Sequence, residues 1–337
     1  MWSGEGTPVA TLTNPGEVLA ARFSPDSQLI ASGSRDGTAT VWTVAGDELV
    51  TAIHGDQVND VAMSNDGSRL ISAGHDGIAL VTEIASGDTE HALAHPDIVW
   101  SVAVSPDDLH IATGSKDGRV RVWDLASGDA VSDYEVGTSI ETLSYSPDGS
   151  WLLAGGQQGQ ALAIAIADGE ATRIANDGFR GGIVDVDWHP EGSELALVSL
   201  GGIHRYELPN LSLVAEHHVA GGTRGVAYGP DGTWLASASG DFQFSFGQIV
   251  FWDAATGEQL VGLDLGGPVE TINATPDGSV VAGFRMTEDL VEVGGAWLVP
   301  GPNRWIDLAC DGTDATISAQ TWNELTGFDE THTTNCP

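Results

Sequence analysis

The sequence has very few basic residues: 12 Lys and Arg stand against 48 Asp and Glu, which gives a formal net charge of −36. Lys116 is its only lysine. Nucleic acids and anionic lipid surfaces are bound through clustered Lys and Arg, so neither DNA, RNA nor a membrane surface is expected as a partner. Two interpretations of the acidic surface stay open: adaptation to a salty cytoplasm, and electrostatic steering of a basic partner.

Long apolar runs and local signatures of catalysis are also missing. No stretch approaches the roughly 20 apolar residues of a membrane span. Met1 is followed by no charged-then-apolar run, so no secretory signal is expected and a cytoplasmic location is predicted. There is no P-loop, no Gly-x-Ser-x-Gly elbow, no zinc signature and no calcium loop. Neither a metal nor another cofactor is therefore predicted, although a site assembled from several repeats would leave no local motif.

Cysteine is scarce as well. Cys310 and Cys336 are the only two, 26 residues apart near the carboxyl end of the sequence. A disulfide between them would pin that segment, at a gain of roughly 3–4 kcal/mol in the chain-entropy model. In a cytosolic setting both would instead stay reduced thiols. Their shared position outside the repeats favours the disulfide.

What the sequence has in abundance is a four-residue turn motif, in which Pro presets φ, Asp or Asn accepts backbone bonds and Gly takes a left-handed conformation. It occurs seven times, at Ser24–Ser27, Ser64–Gly67, Ser105–Asp108, Ser146–Gly149, His189–Gly192, Gly229–Gly232 and Thr275–Gly278. Successive first positions are 40, 41, 41, 43, 40 and 46 residues apart. A period of this length is typical of a blade-like unit that buries its apolar faces by stacking on its neighbours.

Within one repeat the pattern predicts four strands. The third is the clearest, with alternating Val99–Val104, then Leu109–Thr113, Val120–Trp123 and a fourth strand near Ala130–Val131. Strands in such immediate succession pair as antiparallel meanders. The adjacent His217 and His218 point to opposite faces of a strand, so a surface strand end is expected there rather than a metal site.

The third repeat also carries His95, Thr113, Asp117 and Trp123 followed by Asp124. This pattern resembles the WD-repeat β-propeller family, and the resemblance extends from Val9 to about Pro300. It implies an all-β fold: a seven-bladed propeller of four-stranded antiparallel blades over residues 1–303, with a short tail, 304–337, packed on it. Val9–Leu12 and Arg304–Ala309 compete as the strand that closes the ring.

In that family the His, Ser/Thr, Asp and Trp of a repeat form a hydrogen-bonded structural tetrad. The resemblance assigns this role in the third repeat to His95, Thr113, Asp117 and Trp123. The second repeat has His54, Ser72 and Asp76 but Thr82 in place of Trp. The first has Ser32, Asp36 and Trp42 but Asn14 in place of His, and the sixth keeps Ser237, Trp252 and Asp253.

The tail has an Ala-Cys, Trp, Leu-Thr and Cys-Pro pattern. It resembles the tails of bacterial multidomain proteins in which a propeller follows a STAND-type NTPase module. The resemblance implies attachment to N-terminal effector or NTPase domains in a longer parent chain.

In WD-repeat propellers the residue before the turn Asp, and the second residue of each first strand, face the top surface where partners dock. The resemblance places Arg35, His75 and Lys116 at the first position, and Asn59, Trp100 and Arg224 at the second. Because exposed Trp and Arg are common binding hot spots, a basic and aromatic patch is expected, against the alternative of ordinary variation in turns.

The sequence is compatible with three functions. The favoured one is a non-enzymatic platform or sensor that binds a protein or peptide. A propeller enzyme of hydrolase or lactonase type would need carboxylates and a His converging at the central channel. A structural spacer would have no patch at all.

Overall fold

The computed structural model describes residues 12, 14–174, 181–219, 222–241, 246–264, 269–275, 278–288 and 291–300. The chain divides into two compact units, residues 1–186 and 187–337. The predicted tail 304–337 with Cys310 and Cys336, the candidate closing strand Arg304–Ala309 and most of Val9–Leu12 lie outside the described residues.

The first unit contains four sheets, each with four antiparallel strands in sequence order. The first sheet comprises β1 (Val18–Phe23), β2 (Leu29–Ser34), β3 (Thr38–Thr43) and β4 (Glu48–Ile53); the second β5 (Val58–Met63), β6 (Arg69–Gly74), β7 (Ile78–Glu83) and β8 (Thr89–Ala94); the third β9 (Val99–Val104), β10 (His110–Ser115), β11 (Arg119–Asp124) and β12 (Ala130–Glu135); the fourth β13 (Ile140–Tyr145), β14 (Trp151–Gly156), β15 (Ala161–Ala165) and β16 (Ala171–Ile174).

Three more sheets follow. The fifth comprises β17 (Ile183–Trp188), which spans the division between the units, β18 (Glu194–Ser199), β19 (Gly202–Glu207) and β20 (Ser212–His217); the sixth β21 (Thr223–Tyr228), β22 (Trp234–Asp241), β23 (Phe246–Asp253) and β24 (Gln259–Asp264); the seventh β25 (Val269–Ala274), β26 (Ser279–Glu288) and β27 (Val291–Pro300).

The seven motif turns all join the first strand of a sheet to the second. In each, the fourth residue has a left-handed backbone, with φ of 70° at Gly67 and 71° at Gly192, for example. Where the first residue is Ser it closes the turn: Ser64 Oγ donates to Asp66 Oδ1 at 2.6 Å and accepts from the Arg69 amide at 2.9 Å. The Pro-Asp-Gly composition of the motif is therefore explained by the turn geometry it has to adopt.

The apolar core lies between neighbouring sheets. Val41 of the first sheet packs with Val58, Val61 and Leu70 of the second, and all four are fully buried. Comparable clusters join the second sheet to the third and the third to the fourth. In the second unit similar clusters join the fifth to the sixth and the sixth to the seventh. Each buried side chain of this size contributes about 1.5–3 kcal/mol, so one sheet depends on the next for its stability.

Hydrogen bonds reinforce this stacking in the first unit. Asp60 is 7% exposed, and its Oδ2 accepts from Ser101 Oγ at 3.0 Å and from the Val102 amide at 3.2 Å. Ser101 Oγ in turn accepts from the Leu143 amide at 3.2 Å. The first strands β5, β9 and β13 are thus held in a fixed register across three sheets.

The prediction of an all-β fold with four-stranded antiparallel sheets is confirmed for six of the seven sheets. The seventh has three strands within the residues that the structure describes. No α-helix occurs in those residues.

Candidate functional site

The upper end of each sheet, defined here as the end where the first strand begins and the second strand ends, holds the predicted binding residues of the first unit. Arg35, His75 and Lys116 each follow the second strand directly. Their amides donate to the carbonyls of Glu17, Gln57 and Ile98 at 2.8, 2.8 and 2.9 Å. The three side chains therefore occupy equivalent positions in successive sheets. The motif turns lie at the opposite, lower end.

A β-bulge marks the second residue of the first strand. In the second sheet Val58 pairs with Gly74 and Asp60 with Ala73, so Asn59 is skipped; in the third, Trp100 is skipped between Val99 and Ser101. The same irregularity falls at Leu19, Glu141 and Arg224. A bulge re-aims the side chain of the extra residue, and this backbone feature distinguishes the predicted positions Asn59, Trp100 and Arg224.

Four side chains at the upper end of the second and third sheets contact one another. Asn59 Nδ2 donates to the Val99 carbonyl across the gap between the sheets at 2.8 Å. Gln57 Nε2 lies 3.2 Å from both Asn59 Oδ1 and His75 Nδ1. His75 meets Trp100 edge-on, with ring centroids 5.5 Å apart. We call Gln57, Asn59, His75 and Trp100 the bridging cluster; all four are half-buried.

The two predicted cations of the first unit flank this cluster, and each has an acidic partner. Arg35 Nη1 lies 2.5 Å from Glu17 Oε2, and Lys116 Nζ lies 3.8 Å from Asp97 Oδ1. The Lys116 pair is exposed and long, so it adds little stability. The sequence pattern indicated a basic patch, whereas the structure places a carboxylate beside each of these cations. Arg224 lies in the second unit, half-buried at the bulge of β21.

In the second sheet, three of the tetrad residues form a chain. His54 Nδ1 lies 3.2 Å from Asp76 Oδ1, and His54 Nε2 lies 2.8 Å from Ser72 Oγ. Burial lowers the pKa of His54, so the neutral ring donates to the carboxylate and accepts from the hydroxyl. Thr82 stands where the Trp is missing; its buried Oγ1 has no hydrogen-bond partner among the described residues.

In the third sheet the chain runs differently. Thr113 Oγ1 lies 2.7 Å from His95 Nε2 and accepts from Trp123 Nε1 at 2.8 Å. His95 Nδ1 lies 2.9 Å from the Leu93 carbonyl, while Asp117 Oδ2 accepts from Arg121 Nη2 at 2.7 Å. Asp117 therefore pairs with an arginine, which is not a member of the expected tetrad. Burial, and next the nearby Arg121, lower the pKa of His95 to about 4.

The first sheet has a reduced version of the same arrangement. Trp42 Nε1 donates to Ser32 Oγ at 2.9 Å, and Asn14 Nδ2 lies 3.5 Å from the same oxygen. Asp36 Oδ1 accepts instead from Thr38 Oγ1 at 2.6 Å and from the Thr38 amide. The Thr38 hydroxyl is the main reason why the pKa of Asp36 is lowered.

His217 and His218 lie on opposite faces as expected, with His218 exposed, but the expectation of a surface position is wrong for His217. It is 5% exposed, and its ring lies 4.6 Å from that of Trp252, which donates to Ser237 Oγ at 3.1 Å. Burial, with a smaller effect from Arg205, lowers the pKa of His217 to about 4. Alternation along β20 could not reveal this, because the partner ring belongs to the next repeat.

Two polar residues of the upper end were missed from the sequence. Gln57 joins Asn59 to His75, and Glu141 occupies the bulge of β13 at the position of Trp100 in β9. The signal for Glu141 was available, because it stands at the same point of the repeat as the predicted residues Asn59 and Trp100. Gln57 stands at the same point as Glu17 and Ile98, which the sequence did not single out.

The described part of the chain contains no group of three or more His, Cys, Asp and Glu side chains arranged to hold a metal ion. It also contains no helix with the length and hydrophobicity needed to cross a membrane.

The WD40 family model (WD domain, G-beta repeat) matches residues 6–43, 48–81, 87–124 and 211–245. The WD repeat-containing protein slr1410 of Synechocystis sp. is 39% identical over 82 residues, which is 24% of each chain. The serine-threonine kinase receptor-associated protein of Gallus gallus is 31% identical over 80 residues, 23% of each chain. Apoptotic protease-activating factor 1 of Homo sapiens is 39% identical over 69 residues, 18% of this chain and 6% of that protein.

This chain thus spans about a quarter or less of the length of these relatives. The family match falls on the repeats in which the tetrad residues lie. The chain is thus similar to WD40 repeat proteins over four matched segments and over the short stretches that it shares with these relatives.

Proposed function

We propose that this chain is a non-enzymatic platform that binds a protein or peptide at the upper end of its sheets, around Trp100. The observation that carries the proposal is the bridging cluster. Gln57, Asn59 and His75 of the second sheet are linked by side-chain contacts of 3.2 Å, and His75 meets Trp100 of the third sheet edge-on. Asn59 also donates to the Val99 carbonyl of the third sheet at 2.8 Å.

The cluster has the properties of a recognition surface. Its amides and imidazole offer donors and acceptors for a peptide backbone, and Trp100 offers a half-buried aromatic ring. The side chains hold one another in place, so little conformational entropy is lost when a partner binds. Asn59 and Trp100 stand at bulges of packed first strands, Gln57 directly precedes β5 and His75 directly follows β6, so the surface has a rigid base.

We further propose that the sheets form a seven-bladed ring. Seven sheets at one period support this count.

The names of the relatives agree with a binding role. One relative is described as receptor-associated, and apoptotic protease-activating factor 1 is far longer than its matched segment. Together with the tail resemblance, this similarity favours a sensor propeller attached to N-terminal effector or NTPase domains of a signalling or defence protein.

A peptide-display selection against the chain tests the proposal. Selected peptides are expected to bind at least tenfold more weakly to Trp100→Ala, about 1.4 kcal/mol. Trp151→Ala is the matched control, because Trp151 is equally half-buried but begins β14 at the lower end of its sheet. Equal losses in the two variants, or no selected peptide at all, would contradict the proposal.

A further inference from the structure

We infer that the partner places a cationic side chain, arginine or lysine, between Trp100 and Glu141 at the upper end of the third and fourth sheets. The inference rests on the proposed function and specifies the chemistry of its ligand. It agrees with one of the two interpretations of the acidic surface that the sequence left open, the electrostatic steering of a basic partner.

The backbone brings Trp100 and Glu141 together. Each is the second residue of a first strand and sits at its bulge. Strands β9 and β13 pack against each other, and their register is fixed by the 3.2 Å bond from the Leu143 amide, two residues after Glu141, to Ser101 Oγ, one residue after Trp100. The two side chains therefore project at the same level from adjacent strands.

The charges of the upper end leave Glu141 uncompensated. Arg35 is paired with Glu17 and Lys116 with Asp97. Among the described residues, Glu141 has no ion pair; its Oε1 accepts only from Ser139 Oγ at 3.3 Å. Burial raises the pKa of this carboxyl, as expected for a half-buried acid without a cationic neighbour.

Trp100 supplies the second half of the site. An indole face attracts a guanidinium or ammonium group within about 6 Å, with a gain of roughly 0.5–2 kcal/mol. His75 meets Trp100 at an interplanar angle of 84°. A ring held in this way beside an unpaired carboxylate is complementary to a cation that has an apolar stem, and the net charge of −36 steers such a cation to the protein.

Three capped heptapeptides of Gly and Ser, with a central arginine, citrulline or glutamate, test the inference with the full chain. The readout is the indole N–H resonance of Trp100, assigned by its loss in Trp100→Phe. The arginine peptide is expected to shift this resonance and to bind about tenfold more tightly than the citrulline peptide, which has nearly the same shape without the charge. Its affinity is expected to fall between low salt and about 0.15 M.

Two variants with the same change in charge locate the effect. Glu141→Gln is expected to weaken the arginine peptide about tenfold, whereas Glu170→Gln, in the exposed turn before β16, leaves it unchanged. Equal binding of arginine and citrulline, tighter binding of glutamate, or equal effects of the two variants would overturn the inference. If neutral or acidic peptides bind and their binding depends on Trp100, the inference of a cationic side chain is overturned, but the proposed function still stands. Display-selected peptides that are insensitive to Trp100→Ala would instead contradict the proposed function.

Discussion

The second and third sheets use almost the same polar residues and connect them differently. In the second, His54 donates to the Asp76 carboxylate. In the third, His95 turns to the Leu93 carbonyl, and Asp117 pairs with Arg121. The histidine and the hydroxyl are joined in both sheets. The link between histidine and hydroxyl is therefore the constant feature, and the partner of the turn Asp is the variable one.

Two residues account for the difference. One is Pro96, which has no amide hydrogen at the position where Gly55 donates to Asp76 in the second sheet; the other is Arg121. Arg121 is the third residue of β11, and the equivalent residue of β7 is the apolar Leu80. A guanidinium at this position offers Asp117 a charge-assisted hydrogen bond, which is stronger than a bond from a neutral imidazole. Leu80 has no hydrogen-bond donor for Asp76, so the Asp76 carboxylate accepts from His54 and from the Gly55 amide, the latter at 2.8 Å.

The largest effect is expected when the hydrogen bond between the histidine and the hydroxyl is removed. Thr113→Val keeps the shape of the side chain but leaves both His95 and Trp123 without their partner, at a cost of about 2–4 kcal/mol in the free energy of unfolding. Ser72→Ala leaves only His54 without one and is expected to cost about 1–2 kcal/mol. Urea unfolding of both variants measures the difference. Equal losses would show that Trp123 gains nothing from Thr113.

The next effect concerns the contact between these two sheets. Asp108 has φ of 56°, a left-handed conformation that is costly for a residue other than Gly. Its carboxylate accepts from the Asn65 amide at 2.7 Å, Asn65 Nδ2 at 2.9 Å and the Asp66 amide at 2.9 Å.

Asp108→Gly relieves the backbone and loses these bonds, so a net loss of about 1–2 kcal/mol is expected. Ser27→Gly is the control, because Ser27 has φ of 58° and is exposed. It is expected to gain up to about 1 kcal/mol in the same urea titration. A gain in both variants would show that the carboxylate of Asp108 does not hold the second sheet.

Exchanging the variable partner sharpens the comparison further. Arg121→Leu gives the third sheet the residue that the second has at this position, Leu80. Asp117 can then accept a hydrogen bond from His95. The pKa of His95 is therefore expected to rise from about 4. The half-buried Arg119, paired with Asp133 at 2.7 Å, provides the control Arg119→Leu. An NMR titration of His95 measures both, and equal shifts would contradict the role of Arg121.

Protonation of His95 also makes the stability of the protein depend on pH. His95 has a folded pKa of about 4, below its ordinary value of 6.5, so the unfolded chain binds more protons between these two values. The stabilising contribution of neutral His95 is complete above pH 6.5 and is lost as the pH falls towards 4. Because Arg121→Leu is expected to raise the folded pKa of His95, it should narrow the pH range over which this stability is lost.

The smallest expected effect is at the position of the missing Trp. Thr82 is 1% exposed, and its Oγ1 has no partner in the described part of the chain. Thr82→Val removes a buried polar atom without a change of shape and is expected to stabilise the protein by about 0.5–1 kcal/mol. The identical chemical change has opposite signs at Thr82 and Thr113. A loss of stability at Thr82 would show that its hydroxyl is satisfied.

Periodicity and turn chemistry were enough to predict the sheets, because each depends on residues close in sequence. The hydroxyl links of His54 and His95 could be predicted as well, since both positions recur in the repeat. The partner of Asp117 could not, because it depends on which face of β11 Arg121 occupies. The neutralisation of Arg35 and Lys116 was missed for the same reason: Glu17 and Asp97 become neighbours only when the strands pair.

The central claim is that partners dock at the upper end of the sheets, on the bridging cluster. A crystal structure of the chain with its tightest display-selected peptide tests it most directly. We expect the peptide to contact Trp100, Asn59 and His75, with a basic side chain beside Glu141. A peptide that binds at the motif turns of the lower end, or along the fourth strands of the sheets, and makes no contact with Trp100 would contradict the account.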